Sequence, residues 1–149
     1  MVPDIHPEDP KNQIEFRQRL LKGPFQPVLD IFPRTIFSGV KRSFQKSWYQ
    51  QFIWLEYSPK YDLAFCFPCR MFSGSTGLNI GQSELVYSKI GFKNWKASTS
   101  KLSVHEKSKN HLNSSTSLAL FLNSKLIDEV INDQRKNIDN VKELTRQKK

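Results

Sequence analysis

The chain has 149 residues, 38% of them hydrophobic, and a formal net charge of +9. That is the length of one ordinary domain with extensions, and the excess of lysine and arginine points to an anionic partner, nucleic acid foremost, with a merely soluble lysine-rich surface as the plain alternative. No run approaches the roughly 20 apolar residues of a membrane span, the start MVPDIHPEDP has no apolar core of a secretory signal, and sparse cysteine suits a reducing cytosolic or nuclear compartment.

Residues 1–13 read as a disordered or extended lead-in. A short helix is expected over residues 14–21, stopped by Gly23 and Pro24. The stretch GPFQPVLDIFPRTIF sets three prolines among apolar residues, which predicts an extended arm rather than regular structure, so residues 1–40 are taken as an N-terminal arm. From Ser43 the chain is dense in aromatic side chains. FIWLEYS alternates as a strand, with Phe52, Trp54 and Glu56 on one face and Ile53, Leu55 and Tyr57 on the other. The turn SPKYD follows, and LAFCF returns, which makes a hairpin by pattern and turn chemistry. Strand periodicity makes these aromatics core rather than base-stacking platforms.

Residues 73–91 hold four of the six glycines and read as an irregular insertion. GSTGLNIG within it is no phosphate loop, because it lacks the Gly-Lys-Ser/Thr ending that grips phosphate and magnesium. Trp95 then anchors a segment in which Ser98, Thr99 and Ser100 are expected to cap a helix carrying Leu102, His105 and Leu112. Ser103 with Glu106 is a second expected capping box. From Ser124, residues Ile127, Val130, Ile131, Ile138, Val141 and Leu144 recur near helical spacing. The reading is an amphipathic helix over 123–149 that meets a downstream domain or a partner, or a second copy of the chain.

Four of the five cysteine and histidine residues form one ligand pattern: Cys66 and Cys69 as C-x2-C, then His105 and His111 as H-x5-H. Two thiolates on a tight knuckle and two imidazoles from another element are a zinc finger's donors, so the cofactor expected is Zn2+. The gap between the pairs is longer than the roughly 12–15 residues of the common finger. A redox dithiol would need a βαβ context, a disulfide would close a very short loop, and the histidines could be ordinary surface residues beside Lys107 and Lys109. Six residues on a regular helix separate the two rings by about 120° in azimuth, so the helix must break or tighten between them, with Asn110 as the expected place.

RSFQKSWYQQFIWLEYSPKYDLAFCFPCRMF, then GFKNWK and KLSVHEKSKNH, with the approach DIHPEDP and KGPFQP, resembles the TTF-type zinc finger. That finger lies near the start of hAT-superfamily transposases and of host proteins derived from them, including zinc finger MYM-type proteins. The resemblance covers roughly residues 4 to 122. It implies an α+β fold, a zinc-stabilised β-hairpin plus helix like the ββα BED finger, with an extended N-terminal arm and a C-terminal helix. The finger domain is then 41–122. It also implies that Cys66, Cys69, His105 and His111 are the zinc ligands and that the helix around Leu102 to His111 faces a DNA groove. The transposase's acidic catalytic triad has no counterpart here, so no enzyme activity is expected.

The function expected is zinc-dependent binding of double-stranded DNA in the nucleus, as part of a transposase or of a transcriptional regulator descended from one. Lys93, Lys96, Lys101, Lys107 and Lys109 are the expected phosphate contacts, with Arg42, Lys46 and Arg70 extending the basic track. Ser100, Lys101 and Ser103 are candidates for reading bases by their place on the helix. The rival is a protein-interaction zinc module in a transcription or chromatin complex.

Overall fold

The computed structural model describes residues 9–72 and 85–147. The expectations for residues 1–8, and for the glycine-rich segment as far as residue 84, lie outside the described residues. Helix α1, Gln13–Lys22, begins where Asn12 accepts a hydrogen bond from the Glu15 amide at 2.9 Å, while Glu15 accepts from the Lys11 amide at 2.7 Å. The first bond satisfies one amide that an unadorned helix start leaves open, and the second ties down the residue before the cap. Gly23, at φ 82°, is the C-cap as expected, with the helix running one residue further at each end than the expected 14–21.

The arm is tied down by backbone. The Tyr57 amide donates to the Phe25 carbonyl at 3.1 Å, and the Gln26 side-chain amide donates to the carbonyls of Ile53 and Leu55, each at 3.0 Å. Tyr49 adds its hydroxyl to the Pro27 carbonyl at 2.9 Å. Beyond Pro33 the expectation of an irregular arm fails. Strands β1, Thr35–Phe37, and β2, Val40–Arg42, pair antiparallel around Ser38 and Gly39, whose φ values are 51° and 79°. A two-residue turn with both φ positive matches the twist of a hairpin, and Gly39 is what permits it. Three prolines upstream hid strands of only three residues.

Helix α2, Trp48–Gln51, displaces the first part of the expected strand: the Phe52 amide still bonds back to Trp48, and β3 spans only Leu55–Ser58. It pairs with β4, Leu63–Cys66, in the register Leu55↔Cys66 and Tyr57↔Ala64. Phe92 bridges the other edge of β4 through two hydrogen bonds to Ala64, at 2.9 and 2.7 Å. Gly91 precedes it at φ 98°, and a Cβ there would sit 2.8 Å from Leu63, so this approach requires glycine.

β3 is buried on both faces, which the expected two-faced alternation did not foresee. Phe44 stacks on Tyr57 at 4.4 Å between ring centroids and meets Trp95 edge-on at 5.7 Å, forming the aromatic centre of the core. Glu56 is fully buried beside it. Its carboxylate accepts from the Phe25 amide at 2.9 Å and lies 3.7 Å from Arg19 and 3.5 Å from Arg70.

Helix α3, Phe67–Phe72, follows β4 without a loop, then a π-helical turn at Val86–Ile90, a 3-10 turn at Trp95–Ala97, and helices α4, Ser98–Glu106, and α5, Lys109–Gln147. The chain forms two compact units, Met1–Leu118 and Ala119–Lys149, and Cys66, Cys69, His105 and His111 belong to the first. The fold is α+β, with two small antiparallel hairpins and several helices. No helix among the described residues is long and apolar enough to cross a membrane.

Candidate metal centre

Cys66 is the last residue of β4, and Cys69 stands three residues on, in α3. The helix is what turns the second thiol back beside the first, because one helical turn returns residues three apart to the same side. The histidines arrive on two different helices. α4 stops at Glu106, Lys107 and Ser108 form the joint, and α5 starts at Lys109. The expected break therefore exists, but two residues before Asn110.

Ser108 makes the break. Its hydroxyl accepts from the His111 amide at 3.2 Å, its carbonyl accepts from Leu112, and its own amide closes back on His105 at 2.9 Å. This is the N-cap role that the sequence reading gave to the cluster at 98–100 and to Ser103. Those serines act otherwise: Ser98 and Ser100 bond backward to the carbonyls of Asn94 and Ala97, and Ser103 lies inside α4.

The four ligand atoms lie within 4.8 Å of one another, and all four residues are buried. Cys66 Sγ is 3.2 Å from His111 Nδ1, and Cys69 Sγ is 3.4 Å from His105 Nε2. Burial pushes the Cys66 thiol well above its usual range, whereas Cys69 is pushed down to about 3, first by the hydrogen bond from Cys66 and then by the two imidazoles. Of the two thiols Cys69 is thus the more acidic. A bound cation would draw the second proton from Cys66, since a coordinated thiol ionises outright. These four side chains form a site that could hold a metal ion.

Surrounding groups orient the donors. Ser115 Oγ lies 3.2 Å from His111 Nε2, which leaves Nδ1 as that ring's inward atom. Asn110, buried in the first turn of α5, directs its amide to Cys69 Sγ at 3.7 Å. Tyr87 stacks on the His105 ring at 3.9 Å, and Trp54 packs 4.8 Å from His111 while donating its indole N–H to Glu106 at 3.4 Å. None of these partners was foreseen. Ser115 alone had a signal, standing four residues beyond a candidate ligand on a helix.

The basic candidates divide. Lys96, Lys101, Lys107, Lys109 and Lys46 are exposed, as is Ser100, while Ser103 and Arg42 are half-buried. Lys93 is exposed and lies 3.9 Å from Asp62. Arg70 does not join the exposed track: its side chain is 7% exposed and reaches Asp9 at 3.1 Å and Glu56 at 3.5 Å. The burial of Glu56 calls a cation inward at that point. Comparison with protein-family models, with curated proteins and with solved structures found no match.

Proposed function

We propose that this chain is a zinc-dependent, duplex-DNA-binding module of the TTF type, acting in the nucleus as part of a hAT-type transposase or a regulator derived from one. A binding role rather than a catalytic one is the proposal. Zinc suits the donor set: two thiolates at about 2.3 Å and two imidazole nitrogens at about 2.0–2.1 Å would place neighbouring donors some 3.3–3.8 Å apart. The observed S···N approaches of 3.2 and 3.4 Å stand close to that spacing. Four protein donors complete a tetrahedron, so the ion would hold the hairpin, α3 and the α4–α5 joint together rather than activate water.

The observation that carries the reading is the two-sidedness of α4. Leu102 and His105 are buried, while Ser100, Ser103, Val104 and Lys107 fall within about 100° of one another on the other side at about 100° per residue. Exposed Lys101 borders that face, and Lys96 and Lys109 lie just before and after the helix. A metal-anchored helix with a polar, lysine-flanked outer face suits a groove, with lysines on phosphates and serines near base edges. The interaction-module reading draws on the exposed Ile127, Val130, Ile131, Ile138, Val141 and Leu144 of α5.

Selection from random duplex DNA, followed by sequencing, tests the proposal. An enriched motif is expected. If four to six phosphates are neutralised, log K falls with log salt at a slope of roughly −4 to −5, and Lys101→Gln with Lys107→Gln makes it shallower by roughly 2. Absence of duplex binding at low salt, with tight capture of a protein partner, would replace this reading with the interaction module.

A further inference from the structure

A hollow of about 450 Å³ opens between the arm, the β1–β2 hairpin, α2 and the 3-10 turn that leads into α4. Arg34, Lys41 and Arg42 line it together with Trp48 and Trp95, and no acidic side chain does. Among the described residues none of these three cations is paired with a carboxylate. Two donors are more telling than the charge. Arg42 Nε and Trp95 Nε1 are both buried without a hydrogen-bond partner, and Trp95 as a whole is only 4% exposed. Buried N–H groups are almost always satisfied, so two of them around one cationic hollow call for an acceptor from outside the chain.

We infer that this hollow is a second anion site, which takes one backbone phosphate of duplex DNA beside the α4 face. Its charged groups and its two buried unsatisfied atoms are all donors: two guanidinium groups, an ammonium and an indole N–H, against the several acceptor oxygens of a phosphodiester, with Ser43 and Gln45 as the neutral polar part of the lining. The indole walls exclude water from one side and strengthen each charge contact relative to an open surface. The volume leaves room for the sugars flanking the phosphate. Trp95 stands three residues before Ser98, so a strand lying along α4 has the hollow next to the helix start. The site rests on the duplex-DNA reading for its ligand, and of its residues only Arg42 belonged to the basic track expected from the sequence.

The test uses the zinc-loaded chain in two arms. Titration with inorganic phosphate, followed by NMR, is expected to move the Trp95 indole N–H signal saturably and to leave that of Trp54, which is bonded to Glu106, in place. In the second arm Arg34→Gln with Lys41→Gln, both at exposed positions, is expected to weaken duplex binding and to make the salt slope shallower by about 2. A phosphate-insensitive Trp95 signal would overturn the site. So would a double variant that binds duplex like the parent, and in either case the DNA-binding reading stands if the parent binds. Failure of the parent to bind any duplex at low salt overturns that reading, and this site's assignment with it.

Discussion

Replacing Cys69 by alanine should unfold the region around the metal centre rather than remove an activity from an intact fold. Cys69 is fully buried, and its sulfur meets His105 Nε2 at 3.4 Å and the Asn110 amide at 3.7 Å. Losing those two contacts alone costs about 1 kcal/mol each. The larger loss is the metal, since structural zinc supplies about 10–16 kcal/mol of folding free energy in finger peptides. α4 shows why that matters. Its nine residues bury only Ser98, Leu102 and His105. Burying one leucine yields roughly 1.5–3 kcal/mol, against an ordering cost of about 1–2 kcal/mol per residue before helix hydrogen bonds offset part of it. With an ordinary domain stable by only about 5–15 kcal/mol, a three-donor site leaves too little. In a 15N-resolved NMR spectrum, Cys69→Ala is expected to lose the dispersed amide signals of Phe65, Trp95 and Leu102, and a chelator added to the parent should do the same. A variant that keeps those signals, and a parent whose melting ignores the chelator, would refute the structural role of the metal.

Ser115→Ala removes the group against His111 Nε2 and should weaken metal affinity about 10-fold or more while the chain stays folded, as read by competition with a chromophoric chelator; unchanged affinity would mean that packing alone orients the ring. Ser108→Ala takes away the N-cap of α5 and should cost about 1 kcal/mol in denaturant unfolding, whereas Ser103→Ala should stay within about 0.5 kcal/mol. Equal effects would return the cap to the place the sequence pattern gave it. Burial raises the Glu56 carboxyl above its usual range, with the Phe25 amide and the Arg70 and Arg19 charges pulling it partly back. A raised acid costs stability as pH climbs past its unfolded value of about 4.3, so the parent should lose ground to Glu56→Gln as pH rises above that value in thermal melts with excess zinc. A gap that widens in the parent's favour would reverse the sign and show that the arginines outweigh burial.

That Cys66, Cys69, His105 and His111 would come together was legible because cysteine and histidine are scarce, and their spacing carries a requirement that composition cannot imitate. The β3–β4 hairpin was legible for the same kind of reason, an alternating apolar run on each side of a polar turn. What escaped was decided by contacts far along the chain. Glu56 read as one face of a half-exposed strand, yet Arg19, 37 positions earlier, and Arg70, 14 later, close over it. The same burial accounts for Arg70, which by sequence alone was one more cation of the basic track. β1 and β2 were hidden because three-residue strands fall below the length at which alternation can be recognised.

The joint between α4 and α5 shows where a geometric argument succeeds and where residue preference fails. Two imidazoles six residues apart cannot reach one ion from an unbroken helix, and that holds whatever the side chains between them. Asn110 was the expected joint because asparagine tolerates left-handed backbone, but at Lys107 and Ser108 the chain breaks by capping instead, and no residue there takes a positive φ. Asn110 is then free to sit helical and buried, with its amide on the sulfur. The break therefore does two things at once: it turns His111 back toward Cys66 and gives Cys69 a neighbouring donor. With His105 inward on one side of the joint and His111 on the other, a bound ion would fix the angle between the two helices. The outer face of α4 would then be set against the hairpin by the metal, so the position of Lys101 and Lys107 relative to the basic hollow at Arg42 and Trp95 would depend on the same ion.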